Sequence, residues 1–88
     1  MKGICSEEEK RMDRFDAMVV EYLRANRKTV EYLADKVGCD PSSLWRYRRK
    51  TEYFTKMPLN VAGGCMRMSN ASNETIRYIL GLPTGHEN

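Results

Sequence analysis

Apolar residues recur along this chain at steps of three and four positions, the spacing of one face of an α-helix. The first stripe is made up of Met12, Phe15, Val19, Tyr22 and Leu23. Before it, Ser6 and Glu9 have the spacing of a capping box. Nowhere do apolar and polar residues alternate for long enough to indicate a β-strand. The pattern therefore predicts an all-α chain that begins with a helix over residues 7–26.

Two short helices are predicted next, over residues 30–37 and 41–50. Thr29 is a good N-cap for the first of them, and Gly38 suits the left-handed conformation in which that helix would end. Asp40 is placed to cap the second, with Pro41 at its first position. Two helices joined by a tight glycine turn form a helix-turn-helix arrangement.

The packing of such a helix pair makes demands on particular positions. Ala34 is small where the second helix has to cross close to the first, and Gly38 supplies the positive φ of the turn. Leu44 and Tyr47 share the face of the second helix that is turned inward. We therefore expect these four residues to be structural.

The rest of the chain predicts two more helices. Residues 51–57 indicate a loop, Pro58 opens a helix over 58–68, and Ser72 caps a last helix over 73–80. The pair Gly63-Gly64 inside the fourth helix predicts a close approach by another helix. We expect one domain over residues 1–83, followed by a flexible C-terminal tail, 84–88.

Length and composition exclude several classes of protein. An 88-residue chain has room for one domain, and none of its apolar runs approaches the ~20 residues that a membrane span needs. Its first residues lack the apolar core of a secretory signal, so we expect a cytoplasmic protein with reduced thiols. Cys5, Cys39 and Cys65 form no Cys-x-x-Cys pair, and His86 is the only histidine. We therefore expect no metal, no cofactor and no enzymatic activity.

Positive charge is concentrated in the middle of the chain. Residues 24–56 hold nine Lys/Arg against four Asp/Glu, a net charge of +5, whereas residues 1–23 carry −2 and residues 57–88 carry zero. A polyanionic partner such as nucleic acid is one interpretation, and a solvated basic surface is the other.

Residues 30–49, VEYLADKVGCDPSSLWRYRR, resemble the helix-turn-helix of phage-repressor and Cro-like (lambda-repressor-like) DNA-binding domains, most clearly over Leu33–Gly38. The resemblance extends over about residues 12–82, and it implies a compact five-helix bundle. It also implies a sequence-specific transcriptional regulator of phage or mobile-element type, a repressor or an activator, which inserts helix 41–50 into the major groove of double-stranded DNA.

The groove helix would direct four side chains towards DNA: Ser42, Trp45, Arg46 and Arg49. Among these, Arg46 suits a bidentate contact with guanine O6 and N7. As alternatives, Trp45 packs on Tyr53 or Phe54, and the arginines are solvated charges. We expect Arg48 to point to the edge of the core, where an ion pair is as favoured as a DNA contact. Its candidate partners are Asp35, Asp40 and Glu52.

Further contacts are expected outside the groove. The candidates for phosphate binding are Lys28, Thr29, Lys50 and Lys56. The last helix is a candidate two-fold contact of a homodimer through Ile76, Tyr78 and Ile79, with a monomeric surface tyrosine as the alternative. Two other functions stay open. One is an antitoxin-like protein-interaction module with an apolar patch of Tyr53, Phe54 and Tyr78, and the other is non-specific nucleic-acid binding.

Overall fold

A computed structural model describes residues 6–82, which form six α-helices and contain no strand. Their bounds are α1 Glu7–Asn26, α2 Val30–Val37, α3 Pro41–Arg49, α4 Thr51–Phe54, α5 Leu59–Met68 and α6 Asn73–Leu80. The all-α prediction is confirmed, whereas the prediction of five helices is wrong by one. Residue 83 and the expected tail 84–88 lie outside the described residues.

Side-chain caps begin three of the helices where the sequence predicts them. The Ser6 hydroxyl accepts a hydrogen bond from the Glu9 amide at 3.1 Å, and the Glu9 carboxylate accepts one from the Ser6 amide. Thr29 and Ser72 cap α2 and α6 in the same way. Asp40 is the exception: it occupies the N-cap position of α3, but its side chain makes no capping hydrogen bond. At this end the fixed φ of Pro41, the first residue of α3, favours the helix instead.

The additional helix, α4, lies in the segment predicted as a loop. Extended backbone at Lys50 (φ −123°, ψ 116°) separates it from α3. Phe54 at its end is only 5% exposed, and its ring centroid lies 6.0 Å from that of Phe15 in α1. A four-residue helix rich in aromatic residues has little intrinsic stability, so burial of Phe54 is what favours it here.

The long helix α1 lies at the centre of the fold and packs against α3, α4, α5 and α6. Its buried face consists of Met12, Phe15, Met18 and Val19. At its N-terminal end, Nε of Arg11 donates a hydrogen bond of 3.1 Å to the carbonyl oxygen of Ile79, and the same guanidinium lies 5.7 Å from the ring centroid of Phe54. Arg11 therefore joins α1 to the end of α6.

Helix α2 packs closely on α5 at one of the two adjacent glycines. A Cβ added to Gly64 would lie 2.8 Å from Cγ1 of Val37, closer than real side chains allow, which confirms the close approach expected at this position. A Cβ added to Gly63 would meet no neighbouring atom within 4 Å. The prediction therefore applies to Gly64 alone, because Gly63 faces a groove instead of a helix.

Candidate nucleic-acid interface

A three-residue turn orients α3 against α2. Gly38 has a φ of +86°, and its amide donates to the carbonyl oxygen of Ala34 at 2.9 Å. Ala34 itself is fully buried, which explains why a small side chain is needed there. Leu44 is fully buried on the inner side of α3, and Tyr47 is partly buried against the core. The turn and these buried side chains hold α3 against α2.

The outer side of α3 carries the side chains that the sequence nominates for base contact. Ser42, Trp45, Arg46 and Arg49 are all exposed, and together they are called the α3 face below. Trp45 is 48% exposed although tryptophan usually buries most of its area, and the ring that pairs with Phe54 is Phe15. The alternative that Trp45 packs on Phe54 is therefore wrong.

Arg48 is on the opposite side of α3, where the structure corrects the expected ion pairs. Its Nε lies 2.6 Å from Oδ1 of Asp16, and the Arg48 side chain is only 9% exposed. Asp35, Asp40 and Glu52 are all exposed and do not pair with it. The partner is on α1 because α3 crosses that helix, and the sequence pattern does not reveal which helices cross.

Arg46 has an aromatic neighbour that the sequence pattern did not assign to it. Its guanidinium carbon lies 5.7 Å from the ring centroid of Tyr53 in α4. Tyr53 is itself 41% exposed, so the two side chains share the surface. A cation over a ring face at this distance is attracted by the ring quadrupole. The two side chains meet because α4 packs directly on α3. The sequence pattern predicts a loop in place of α4, so this contact could not be expected from it.

The candidate phosphate-binding residues are all exposed: Lys28, Thr29, Lys50 and Lys56. The Thr29 hydroxyl oxygen accepts a hydrogen bond of 3.1 Å from the Tyr32 amide, which it caps. The ammonium groups of Lys28 and Lys36 lie 4.5 and 5.3 Å from the ring centroid of Tyr32. Lys50 immediately precedes α4, and Lys56 follows its end, so these two lie on either side of the short helix next to the α3 face.

The electrostatics of this region are strongly positive. Within residues 6–82 no carboxylate lies within 4.0 Å of the charged groups of Arg46, Arg49, Lys50 or Lys56. Among the arginines of α3, Arg48 alone has a carboxylate partner, Asp16. The unpaired positive charges of Arg46, Arg49, Lys50 and Lys56 are therefore exposed on α3 and beside α4.

Two free thiols lie in the described part of the chain, those of Cys39 and Cys65. Burial is the main reason why the pKa of the Cys65 thiol is raised to about 12, so it stays protonated at neutral pH. Burial, and secondarily Asp40, raises the pKa of Cys39. No group of three or more His, Cys, Asp or Glu side chains in residues 6–82 is arranged to hold a metal ion. Cys5 and His86 lie outside the described residues.

The proposed dimer residues of α6 differ in their exposure. Ile79 is 1% exposed and belongs to the core, so it is not available to a second chain. Tyr78 is partly exposed, and Ile76 lines a groove of about 380 Å³ between α5 and α6. Leu59, at the rim of the groove, is 74% exposed, and Gly63 lies in its wall.

None of the helices within residues 6–82 combines the length and the apolar character needed to cross a membrane. Comparisons with protein-family models, with curated proteins and with solved structures give no match for this chain. The functional argument accordingly depends on the geometry and charge of the α3 face.

Proposed function

We propose that this chain is a sequence-specific double-stranded DNA-binding transcriptional regulator of phage or mobile-element type, with α3 in the major groove. The observation that carries the proposal is the two-sided character of α3. One side is anchored by Leu44 and by the Arg48–Asp16 ion pair, and the other exposes Trp45 and two arginines that have no carboxylate beside them. A helix whose exposed arginines are not neutralised by carboxylates suits both base edges and phosphates.

The mechanism needs no metal or cofactor and no enzymatic step. The second of two packed helices enters the groove with its N-terminal half against base edges, which in this chain places Ser42, Trp45 and Arg46 at the bases. Arg49, at the end of α3, is then closer to the phosphates, and Lys50, Lys56 and Lys28 extend the contact to the backbone. The bound protein represses by occupying an operator in competition with polymerase, as proposed from the resemblance to phage repressors.

The test is selection of bound duplexes from a random pool, followed by binding measurements on the selected duplex and a scrambled duplex at equal salt. We expect a preference of about 10³-fold or more for the selected duplex. The logarithm of the binding constant should fall linearly with the logarithm of the salt concentration, by about 0.9 per phosphate neutralised.

Two other results would contradict the proposal in different ways. Equal binding of both duplexes indicates non-specific nucleic-acid binding. Failure to bind any duplex at about 50 mM salt, with a protein partner whose binding is insensitive to salt, indicates the antitoxin-like interaction module. The apolar patch expected for that module is incomplete, because Phe54 is buried in the core.

A homodimer remains part of the proposal, with a changed surface. Leu59 projects beside the groove that contains Gly63 and Ile76, so one face carries both a protruding apolar side chain and a recess. A two-fold contact needs such a self-complementary patch. The mass of the protein in solution, measured by light scattering with and without Leu59→Lys, tests it: the substitution should leave only monomer. A monomeric wild type at the concentration that saturates DNA would exclude it.

A further inference from the structure

Tyr53 stands beside the arginine that is best placed to recognise a base. The guanidinium carbon of Arg46 lies 5.7 Å from its ring centroid. Both residues are exposed, and they come from different helices, α3 and α4. The contact therefore does not follow from neighbouring positions on one helix, and it depends on how α4 is held against α3.

The backbone that carries Tyr53 is held in place by the next residue of the chain. Phe54 is 5% exposed and packs on Phe15, with its ring also beneath the guanidinium of Arg11 at 5.7 Å. The amides of Tyr53 and Phe54 both donate to the carbonyl oxygen of Lys50, at 3.0 and 2.8 Å. The short helix is thus attached both to the core and to the end of α3, so the tyrosine projects from an ordered helix beside Arg46.

An arginine held over a ring keeps its hydrogen-bonding capacity. The attraction is between the positive charge and the ring quadrupole, and it uses none of the carbonyl or nitrogen acceptors that guanidinium N–H groups need. Arg46 can therefore lie over Tyr53 and still donate two parallel hydrogen bonds to O6 and N7 of one guanine. The contact also restricts the rotamers of a long side chain before binding, which reduces the entropy lost in the complex.

We infer that Tyr53 is a positioning residue that determines specificity, by holding Arg46 in the orientation that prefers guanine at one position of the site. This inference rests on the proposed DNA-binding function and adds to it a residue outside α3. Tyr53 acts through Arg46, so its effect is expected in the discrimination between bases and not in the general affinity for duplex DNA.

The experiment measures the ratio of dissociation constants for a selected duplex and for duplexes with each of its guanines replaced in turn. We expect Tyr53→Ala to lower the preference for one guanine about two- to five-fold, the range for an exposed cation–aromatic contact. Tyr53→Phe retains the ring and should retain the preference. Tyr53→Leu retains a large apolar side chain without the ring and should lose the same preference as Tyr53→Ala. Agreement of the two variants shows that the loss comes from the missing ring and not from misfolding of one of them.

A background substitution and a matched tyrosine make the test specific. In an Arg46→Ala protein, Tyr53→Ala should change the preference no further. Tyr32→Ala removes another tyrosine under cations, those of Lys28 and Lys36, and should leave the preference unchanged.

Unchanged discrimination in Tyr53→Ala and Tyr53→Leu would overturn the inference, and so would an equal loss with and without Arg46. In both cases the wild type still prefers its selected duplex, so the proposed function stands. A wild type that prefers no duplex would overturn the function and the inference together.

Discussion

Nε of Arg48 lies 2.6 Å from Oδ1 of Asp16, so an ion pair at the edge of the core connects α3 to α1. Arg48 and Leu44 lie one helical turn apart on the inner side of α3, and both are buried. This pairing fixes the rotation of α3 about its axis, and the same rotation turns Trp45, Arg46 and Arg49 outward. The buried ion pair of Arg48 thus determines the outward orientation of Arg46 and Arg49.

Removal of one partner of this ion pair should destabilise the protein. Asp16→Asn or Arg48→Met leaves the other charge poorly compensated at a largely buried position. Because the Asp16 side chain is 25% exposed, we expect a loss of about 1–3 kcal/mol, below the range for fully buried pairs. Urea unfolding followed by circular dichroism measures it. Asp13→Asn, at an exposed position of the same helix, is the control and should cost less than about 0.5 kcal/mol. Equal stabilities of the Asp13 and Asp16 variants would contradict the role of the pair.

The two adjacent glycines of α5 should respond in opposite directions to alanine. Gly63→Ala adds a methyl group where no atom stands within 4 Å, so the gain in helix propensity should stabilise the protein by about 0.5–1 kcal/mol. Gly64→Ala places a methyl group against Val37, where even the Cβ of the valine is 3.1 Å away and cannot rotate clear. We expect a loss of about 1–3 kcal/mol.

Thermal unfolding is sensitive enough to separate these variants, since 1 kcal/mol shifts the Tm of a domain of this size by about 4–8 °C. Each glycine is the control for the other, because the substitutions are chemically identical and one position apart. A destabilised Gly63→Ala would mean that the groove wall is packed, and a neutral Gly64→Ala would mean that α2 moves away without cost.

The stability of the protein should fall at alkaline pH because of one buried thiol. The pKa of Cys65 in the folded state is raised to about 12, from an ordinary thiol value near 9. Below pH 9 the Cys65 thiol is protonated in both the folded and the unfolded chain, so its contribution to the free energy of unfolding is fully present. Between pH 9 and 12 the unfolded chain releases this proton and the folded chain does not, so the free energy of unfolding falls by up to about 1.4 kcal/mol per pH unit.

Urea unfolding of the wild type and of Cys65→Ala between pH 7 and pH 11 isolates that contribution from other groups that titrate in this range. The variant is less stable at pH 7 because it leaves a cavity, but the difference should shrink as the pH rises above 9. Cys39→Ala is the matched thiol control, with a smaller change because Cys39 is only partly buried. A difference independent of pH would contradict the assigned shift.

The α3 face and the surrounding lysines should contribute differently to DNA binding. Arg46→Ala is expected to lower discrimination at one base pair by about 1–3 kcal/mol. Lys56→Ala should weaken all duplexes alike and reduce the magnitude of the log–log salt slope by about 1. Competition binding at several salt concentrations measures both quantities, and each variant is the control for the other because the expected effects differ in kind. Unchanged binding of every duplex by Arg46→Ala would place the groove contact elsewhere.

The sequence predicts the helix ends well where local chemistry determines them. The bounds of α1, α2 and α6 agree with the structure, because Ser6, Thr29 and Ser72 supply capping oxygens and Gly38 and Gly81 adopt a positive φ. These interactions involve residues within one helical turn of each other, so the sequence alone contains their signal. The outward orientation of the α3 face is predicted for the same reason, from the periodicity around Leu44.

The features that were missed depend on contacts between distant parts of the chain. Helix α4 forms because Phe54 reaches Phe15, 39 positions earlier, and no local pattern in residues 51–57 reports that contact. The partner of Arg48 is Asp16 for the same reason, since α1 and α3 cross. Arg46 and Tyr53 meet only once α4 exists. In each case the sequence shows the residue itself, but it does not show which residue of another helix lies in contact with it.

The hydrogen bond from Arg11 to the carbonyl oxygen of Ile79 spans 68 positions of the chain. During synthesis α1 leaves the ribosome long before its acceptor does, and until then its buried face lacks α6 as a cover. A nascent chain halted between α5 and α6 therefore presents an incomplete apolar surface that a chaperone can bind.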